Sequence, residues 1–159
     1  MLLVPFISEQ IIDTVAEKLD EDVEYFQEHL ADMQAKQPIL FSYLVSENFK
    51  LLTKDEQDYL LYLSLVIWKA IDNQSPNLER VESEEIEEVE EKNWAVLLES
   101  KEKRFRDKLD IFFDNYSQED LLAFVEDALV DDEDNFITKE GRDLLFIGLK
   151  SCIDALCKT

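Results

Sequence analysis

The sequence predicts an all-α protein of five to seven helices, bundled around a buried central helix at about residues 53–71. Only 2 glycines and 3 prolines occur in 159 residues, which leaves few of the turns that a many-stranded sheet needs. Apolar residues recur at helical spacing, without a convincing strand. From Tyr59 to Ile71, eleven of thirteen residues are apolar or aromatic, as in a helix packed on several sides. The length suits a single helical domain, residues 1–159.

The first helix is predicted to begin at Ser8, a residue type that favours the N-cap. Its apolar positions then follow in steps of four and three, which is typical of a helix that pairs with a neighbour along one stripe. The stripe comprises Ile12, Ala16, Leu19, Val23, Phe26, Leu30 and Met33. One continuous helix is therefore expected, followed by a short helix that has Pro38 at its first position and extends to Phe49.

A capping box fixes the start of the central helix. The hydroxyl of Thr53 can accept the backbone N–H of Glu56, while the carboxylate of Glu56 can accept the backbone N–H of Thr53. The helix is expected to end at Asp72–Asn73. Residues 72–83, which contain a proline and several small polar residues, are expected to form a connecting loop.

An acidic helix is predicted to follow, with Ser83 as its N-cap. Seven of the ten residues from Glu82 to Glu91 are glutamate, and basic residues concentrate further along, between Lys92 and Lys108. A continuous helix to about Tyr116 is slightly favoured, since its acids and bases would then complement the helix dipole. A break at Ser100, itself a possible N-cap, is the competing interpretation.

Two more helices are predicted near the end of the chain, the first capped by Ser117 and the second by Thr138. Between them lies the acidic stretch Asp131–Asn135. An EF-hand loop would need glycine at its sixth position and glutamate at its twelfth, but counting from Asp131 these positions hold Phe136 and Arg142. A solvated turn is expected there, and an irregular cation site is the alternative.

The net charge of −22 excludes several classes of partner. Nucleic acids and anionic membranes are bound mainly through lysine and arginine, so neither is expected as a partner. Cys152 and Cys157 are five positions apart in a helical pattern, too far along a helix for a disulfide, which favours reduced thiols and a cytoplasmic location. The N-terminus lacks the basic region of a signal peptide, and the central apolar run is too short to span a membrane.

Acidic pairs raise one hypothesis of catalysis. Carboxylates three positions apart share a helix face, and two such pairs could hold Mg²⁺ against a phosphate chain. All-helical nucleoside triphosphate pyrophosphatases use pairs of this kind, although theirs lie closer together in sequence. The candidate metal ligands are Glu84, Glu87, Glu88, Glu91, Glu140 and Asp143. The alternative is an acidic helix face that is merely exposed to solvent, because Ile86 and Val89 would turn inward and leave the glutamates outside.

The sequence favours an interaction protein over an enzyme. There is one histidine, His29, expected at the edge of the core, and the sequence has neither a nucleophile motif nor a glycine-rich phosphate loop. We therefore expect no catalysis and no cofactor, and a protein partner or a homodimer in which acidic and basic segments meet. A magnesium-dependent pyrophosphatase-like enzyme is the alternative, and an acidic mimic of nucleic acid is a further one.

Overall fold

The computed structural model describes residues 4–130 and 136–158, and it confirms the all-α class. Within these residues lie eight α-helices, one more than the upper limit of the prediction, because two expected helices are each divided. They are α1 (Glu9–Glu21), α2 (Val23–Lys36), α3 (Pro38–Leu44), α4 (Lys54–Gln74), α5 (Ser83–Glu99), α6 (Phe105–Leu109), α7 (Glu119–Val130) and α8 (Lys139–Cys157). Short 3₁₀ turns follow α3, at Glu47–Phe49, and α6, at Asp110–Phe113.

Two helices, and not one, form the centre of the bundle. α4 buries 11 of its 21 residues, as expected of the central helix, but α8 buries 14 of its 19. α8 packs against α4, α5 and α7, while α1 and α2 cover the other side of α4. Gly148 lets the ring of Phe49 pack closely on α8, since a Cβ atom at this position would lie 2.9 Å from that ring.

Three predicted helix N-termini are confirmed, those at Pro38, Thr53 and Thr138. Pro38 occupies the first turn of α3. The hydroxyl of Thr53 accepts the N–H of Glu56 at 3.1 Å, and the Glu56 carboxylate accepts the N–H of Thr53 at 2.8 Å. The hydroxyl of Thr138 accepts the N–H of Gly141 at 2.9 Å.

The prediction of one continuous first helix is wrong, because the helix breaks at Asp22. This residue has extended backbone angles (φ −142°, ψ 111°). Its carboxylate accepts the N–H groups of Glu24 and Tyr25 at 2.9 and 3.3 Å, so Asp22 acts as the N-cap of α2. The apolar spacing continues across the break in the sequence, which is why it did not reveal the break, but Val23 beside the break is exposed.

The favoured continuous helix from Ser83 to Tyr116 is also wrong, and the competing break at Ser100 is what the structure has. Ser100 is extended (φ −66°, ψ 134°), and the next helix begins only at Phe105. α5 is capped by Glu82 and not by Ser83, since the carboxylate of Glu85 accepts the N–H of Glu82 at 2.9 Å.

Residues 100–116, which we call the strap, lie over α8. The rings of Phe105 and Phe112 pack against the ring of Phe146 on α8, with centroids 6.1 and 5.0 Å apart. The strap ends where Asn115 adopts a positive φ of 56°. The acidic stretch Asp131–Asn135, for which a solvated turn or a cation site was expected, lies outside the described residues.

Candidate functional site

The six acidic residues of the metal hypothesis lie on two helices. Four are exposed on α5, namely Glu84, Glu87, Glu88 and Glu91. Glu88 pairs with Lys92 at 3.2 Å. On α8, Glu140 is exposed in the first turn, and Asp143 lies 3.9 Å from Lys108 of the strap.

The two acidic groups are not brought together. α5 and α8 run antiparallel, since Glu85 near the start of α5 pairs with Lys158 at the end of α8. Glu140 lies 18 residues before Lys158, which is about 27 Å along a helix. Across residues 4–130 and 136–158, no three His, Cys, Asp or Glu side chains gather as a metal site would require. Within the described residues, the six candidate ligands therefore do not come together as an Mg²⁺ site.

A different acidic feature is a groove of about 450 Å³ between α1, α4 and α7. Its apolar and aromatic lining includes Ile12, Tyr59, Tyr62, Leu63 and Phe124. Four carboxylates also line it, Glu9 and Asp13 on α1 and Asp120 and Asp127 on α7. Among the described residues that line this acidic groove, none is lysine or arginine. The groove thus combines aromatic faces with uncompensated negative charge.

A buried glutamine fixes the two helices that flank the acidic groove. Gln118 is 3% exposed, and its amide accepts the N–H of Ile7 at 3.0 Å and donates to the carbonyl of Pro5 at 2.9 Å. Asp120 accepts the N–H of Glu9 at 3.0 Å. The first turns of α1 and α7 are therefore joined side by side, which sets the position of their carboxylates.

Aromatic rings form a row from α2 across α4. The centroids of Phe26 and Tyr62 are 6.3 Å apart, those of Tyr62 and Tyr59 are 6.5 Å apart, and those of Tyr59 and Phe136 are 5.2 Å apart. The hydroxyl of Tyr59 donates to the carbonyl of Ala128 at 3.0 Å, which ties the row to α7. Ring spacings of this size are favourable for aromatic pairs, so the row is a pre-formed surface.

The phenol of Tyr62 stays neutral at the edge of the acidic groove. Burial, followed by a hydrogen bond with Asp20 and the negative charge of that residue, raises the pKa of Tyr62 well above its ordinary value. Neutral aromatic faces attract cations through the ring quadrupole, and nearby carboxylates add Coulomb attraction. The arrangement can bind a lysine or arginine side chain.

A second polar cluster, which the sequence reasoning missed, lies buried between α5 and α8. The ammonium of Lys150 donates to Asn93 at 3.0 Å and to Asp154 at 2.8 Å. Asn93 also donates to Ser151 and Asp154, each at 3.1 Å, and the hydroxyl of Tyr116 donates to Asp154 at 2.5 Å. The spacing of Lys150 and Asp154, four apart within an apolar helix, was the available sign of a buried pair.

This second cluster is too deeply buried to contact a ligand. Lys150 and Asp154 are each 6% exposed, and the Lys150 ammonium lies 5.4 and 4.6 Å from the ring centroids of Phe112 and Tyr116 in the strap. Its hydrogen bonds join α5, α8 and the strap, so we assign it to positioning these elements. His29 is half-buried against the ring of Tyr25, with centroids 4.1 Å apart, which suits its expected place at the edge of the core.

A scan against protein-family models finds no match for the chain. Searches of curated protein sequences and of solved structures find no significant match either. Within the ranges 4–130 and 136–158, no helix has both the length and the apolar character needed to cross a membrane.

Proposed function

We propose that this protein is a non-catalytic interaction module that binds a lysine- and arginine-rich polypeptide segment in the acidic groove between α1, α4 and α7. The observation that carries the proposal is that the rings of Tyr59, Tyr62 and Phe124 line the same groove as four carboxylates, those of Glu9 and Asp13 on α1 and of Asp120 and Asp127 on α7. A basic side chain can lie on a ring face while its charge remains close to carboxylates on two helices.

The overall charge supports the same class of partner. A net charge of −22 attracts cationic segments at long range, and the acidic groove supplies a shaped place for them to bind. We propose a cytoplasmic location, which is supported by Cys152 and Cys157 being free, buried thiols.

The test is calorimetric titration with hexa-arginine. Because any protein of this charge attracts such a peptide weakly, the comparison between two matched variants decides the result. Asp13→Asn/Asp127→Asn removes two charges from the acidic groove, whereas Glu84→Gln/Glu87→Gln removes two exposed charges from α5. We expect the first variant to weaken binding about tenfold, or about 1.4 kcal/mol, and the second to change it less than about twofold.

If both variants lost the same affinity for hexa-arginine, binding would depend only on the net charge of the protein, and the acidic groove would then not be the site. Phe124→Leu keeps every carboxylate and removes an aromatic face from the acidic groove. It should weaken binding about two- to fivefold, in the range of an exposed cation–π contact.

A further inference from the structure

The strap contains the densest basic segment of the described chain. Between Lys101 and Lys108 there are five basic and two acidic residues, a local net charge of +3 within a protein of −22. Its first part, residues 101–104, is non-helical and exposed. Ser100 and Arg104 both have extended backbone angles, so the backbone of this part is not helical. Its side chains are exposed to solvent.

Three of the five basic side chains in this segment lack a carboxylate partner in the described part of the chain. Arg106 pairs with Glu126 of α7 at 3.5 Å, and Lys108 with Asp143 of α8 at 3.9 Å. Within residues 4–130 and 136–158, no carboxylate lies within 4.0 Å of the charged groups that remain, those of Lys101, Lys103 and Arg104. These charges are available to a carboxylate outside the molecule.

The strap and the acidic groove lie on different sides of one helix. Glu126 of α7 faces the strap, through Arg106, while Asp127 lines the acidic groove. Consecutive residues of an α-helix point about 100° apart, so the strap and the acidic groove border α7 on separate flanks. A twofold axis close to α7 would place the strap of each copy beside the acidic groove of the other, which makes the contact reciprocal and closed.

We propose that two copies of this chain associate reciprocally through their straps, so that Lys101, Lys103 and Arg104 of one copy lie in the acidic groove of the other. The inference rests on the proposed function, because it names the basic segment that the acidic groove binds. It gives a specific form to the homodimer expected from the sequence, in which acidic and basic segments meet, and it places the basic segment after the break at Ser100. Repulsion between two copies of −22 is screened beyond about 8 Å at 0.15 M salt, whereas the contacts inside the acidic groove are shorter than that.

Sedimentation velocity of the full chain in 0.15 M salt is the test. The wild type is expected to be dimeric, and about 1 M salt should dissociate the dimer. Lys101→Glu/Lys103→Glu/Arg104→Glu reverses the strap, and Asp13→Lys/Asp127→Lys reverses the acidic groove. Each variant alone should be monomeric, and an equimolar mixture of the two should recover dimers, since every strap then meets an acidic groove of opposite charge. An unfolded variant could not give this recovery.

A matched control separates the strap from net charge. Lys54→Glu/Lys92→Glu/Lys139→Glu makes the same change in net charge at three exposed lysines elsewhere, and it should remain dimeric. A monomeric wild type at all concentrations, or dimers that persist in both reversed variants, would overturn the reciprocal contact of strap and acidic groove. Wild-type monomers that still bind hexa-arginine in the acidic groove would overturn the dimer alone, whereas the absence of both dimers and hexa-arginine binding would also overturn the proposed function.

Discussion

The carboxylate of Glu56 accepts both the backbone N–H and the hydroxyl of Thr138, at 2.7 and 3.0 Å. Its other oxygen accepts the N–H of Thr53 at 2.8 Å. One side chain therefore closes the capping box at the start of α4 and contacts the N-cap residue of α8. Glu56 is fully buried, so these hydrogen bonds replace the water that its charge would otherwise have.

Glu56→Gln should destabilise the protein by about 2–3 kcal/mol, because it removes the charge from an acceptor of three hydrogen bonds. Urea unfolding at pH 7 measures this difference. Asp55→Asn, one position earlier and exposed, is the control and should change stability by less than about 0.5 kcal/mol. If Glu56→Gln lowered the stability by as little, the hydrogen bonds of Glu56 with Thr53 and Thr138 would contribute little to folding.

The effect of Glu56 should depend on pH. Burial by itself raises the pKa of Glu56, but the hydrogen bonds from Thr53 and Thr138 outweigh it and hold the pKa below the ordinary 4.5. A lowered pKa in the folded state means that the stabilisation is present above pH 4.5 and is lost as the pH falls through the folded value. The difference in stability between wild type and Glu56→Gln should therefore shrink in acid, and a constant difference down to pH 3 would contradict this assignment.

Gly141→Ala should destabilise the protein, although alanine favours helices by about 1 kcal/mol over glycine. A Cβ atom at this position would lie 2.2 Å from Oε2 of Glu56, so the carboxylate has to leave Thr138. We expect a net loss of about 1–3 kcal/mol in thermal or urea unfolding. Lys139→Ala, in the same turn and exposed, is the control. Stabilisation by Gly141→Ala would mean that Glu56 adapts freely.

The buried pair of Lys150 and Asp154 should contribute far more than an exposed pair of the same spacing. Lys150→Met leaves the Asp154 charge buried without its cation and should cost about 3–5 kcal/mol. Lys54→Met, which breaks the exposed pair with Asp58, should cost less than about 0.5 kcal/mol. Asp154→Leu added to Lys150→Met should restore part of the stability, and a double-mutant cycle in urea measures the coupling.

Both cysteines should be unreactive in the folded protein. Burial raises the pKa of Cys152 and of Cys157 to about 12, against an ordinary 9.0. At pH 8 the folded thiols then hold about a thousandfold less thiolate, which is the reactive form. Labelling with dithionitrobenzoate should be slow in buffer and fast in urea, and Cys152→Ser and Cys157→Ser assign the two rates. Rapid labelling of the native protein would place a thiol at the surface.

Local sequence rules predicted the features that local chemistry determines. The capping box at Thr53 and Glu56 and the cap at Thr138 follow from residues three positions apart, so they were visible in the sequence. The contact between Glu56 and Thr138 joins residues 82 positions apart and depends on how α4 and α8 pack. The same holds for the acidic groove, whose four carboxylates come from two helices that only the fold sets side by side.

The two breaks show where apolar spacing misleads. At Asp22 the apolar spacing of the sequence continues although the helix does not, and Val23, the stripe position next to the break, is 71% exposed. At Ser100 the hydroxyl accepts the N–H of Glu102 at 3.2 Å, and the chain then follows the packing of Phe105 on Phe146. At Ser100 tertiary contacts outweigh helix propensity, since propensity amounts to only tenths of a kcal/mol per residue, whereas at Asp22 the local side-chain cap starts a new helix.

The depth of α8 has a consequence for how the protein is made. Synthesis proceeds from the N-terminus, and α8 follows α4, α5 and α7 in the chain, yet it fills the space between them. Until α8 has left the ribosome, the surfaces of those three helices that face α8 stay uncovered, and Glu56 lacks its hydrogen bonds from Thr138. The chain therefore completes its core after emergence of α8, and ribosome-bound forms that stop before Lys139 are the ones that would need a chaperone.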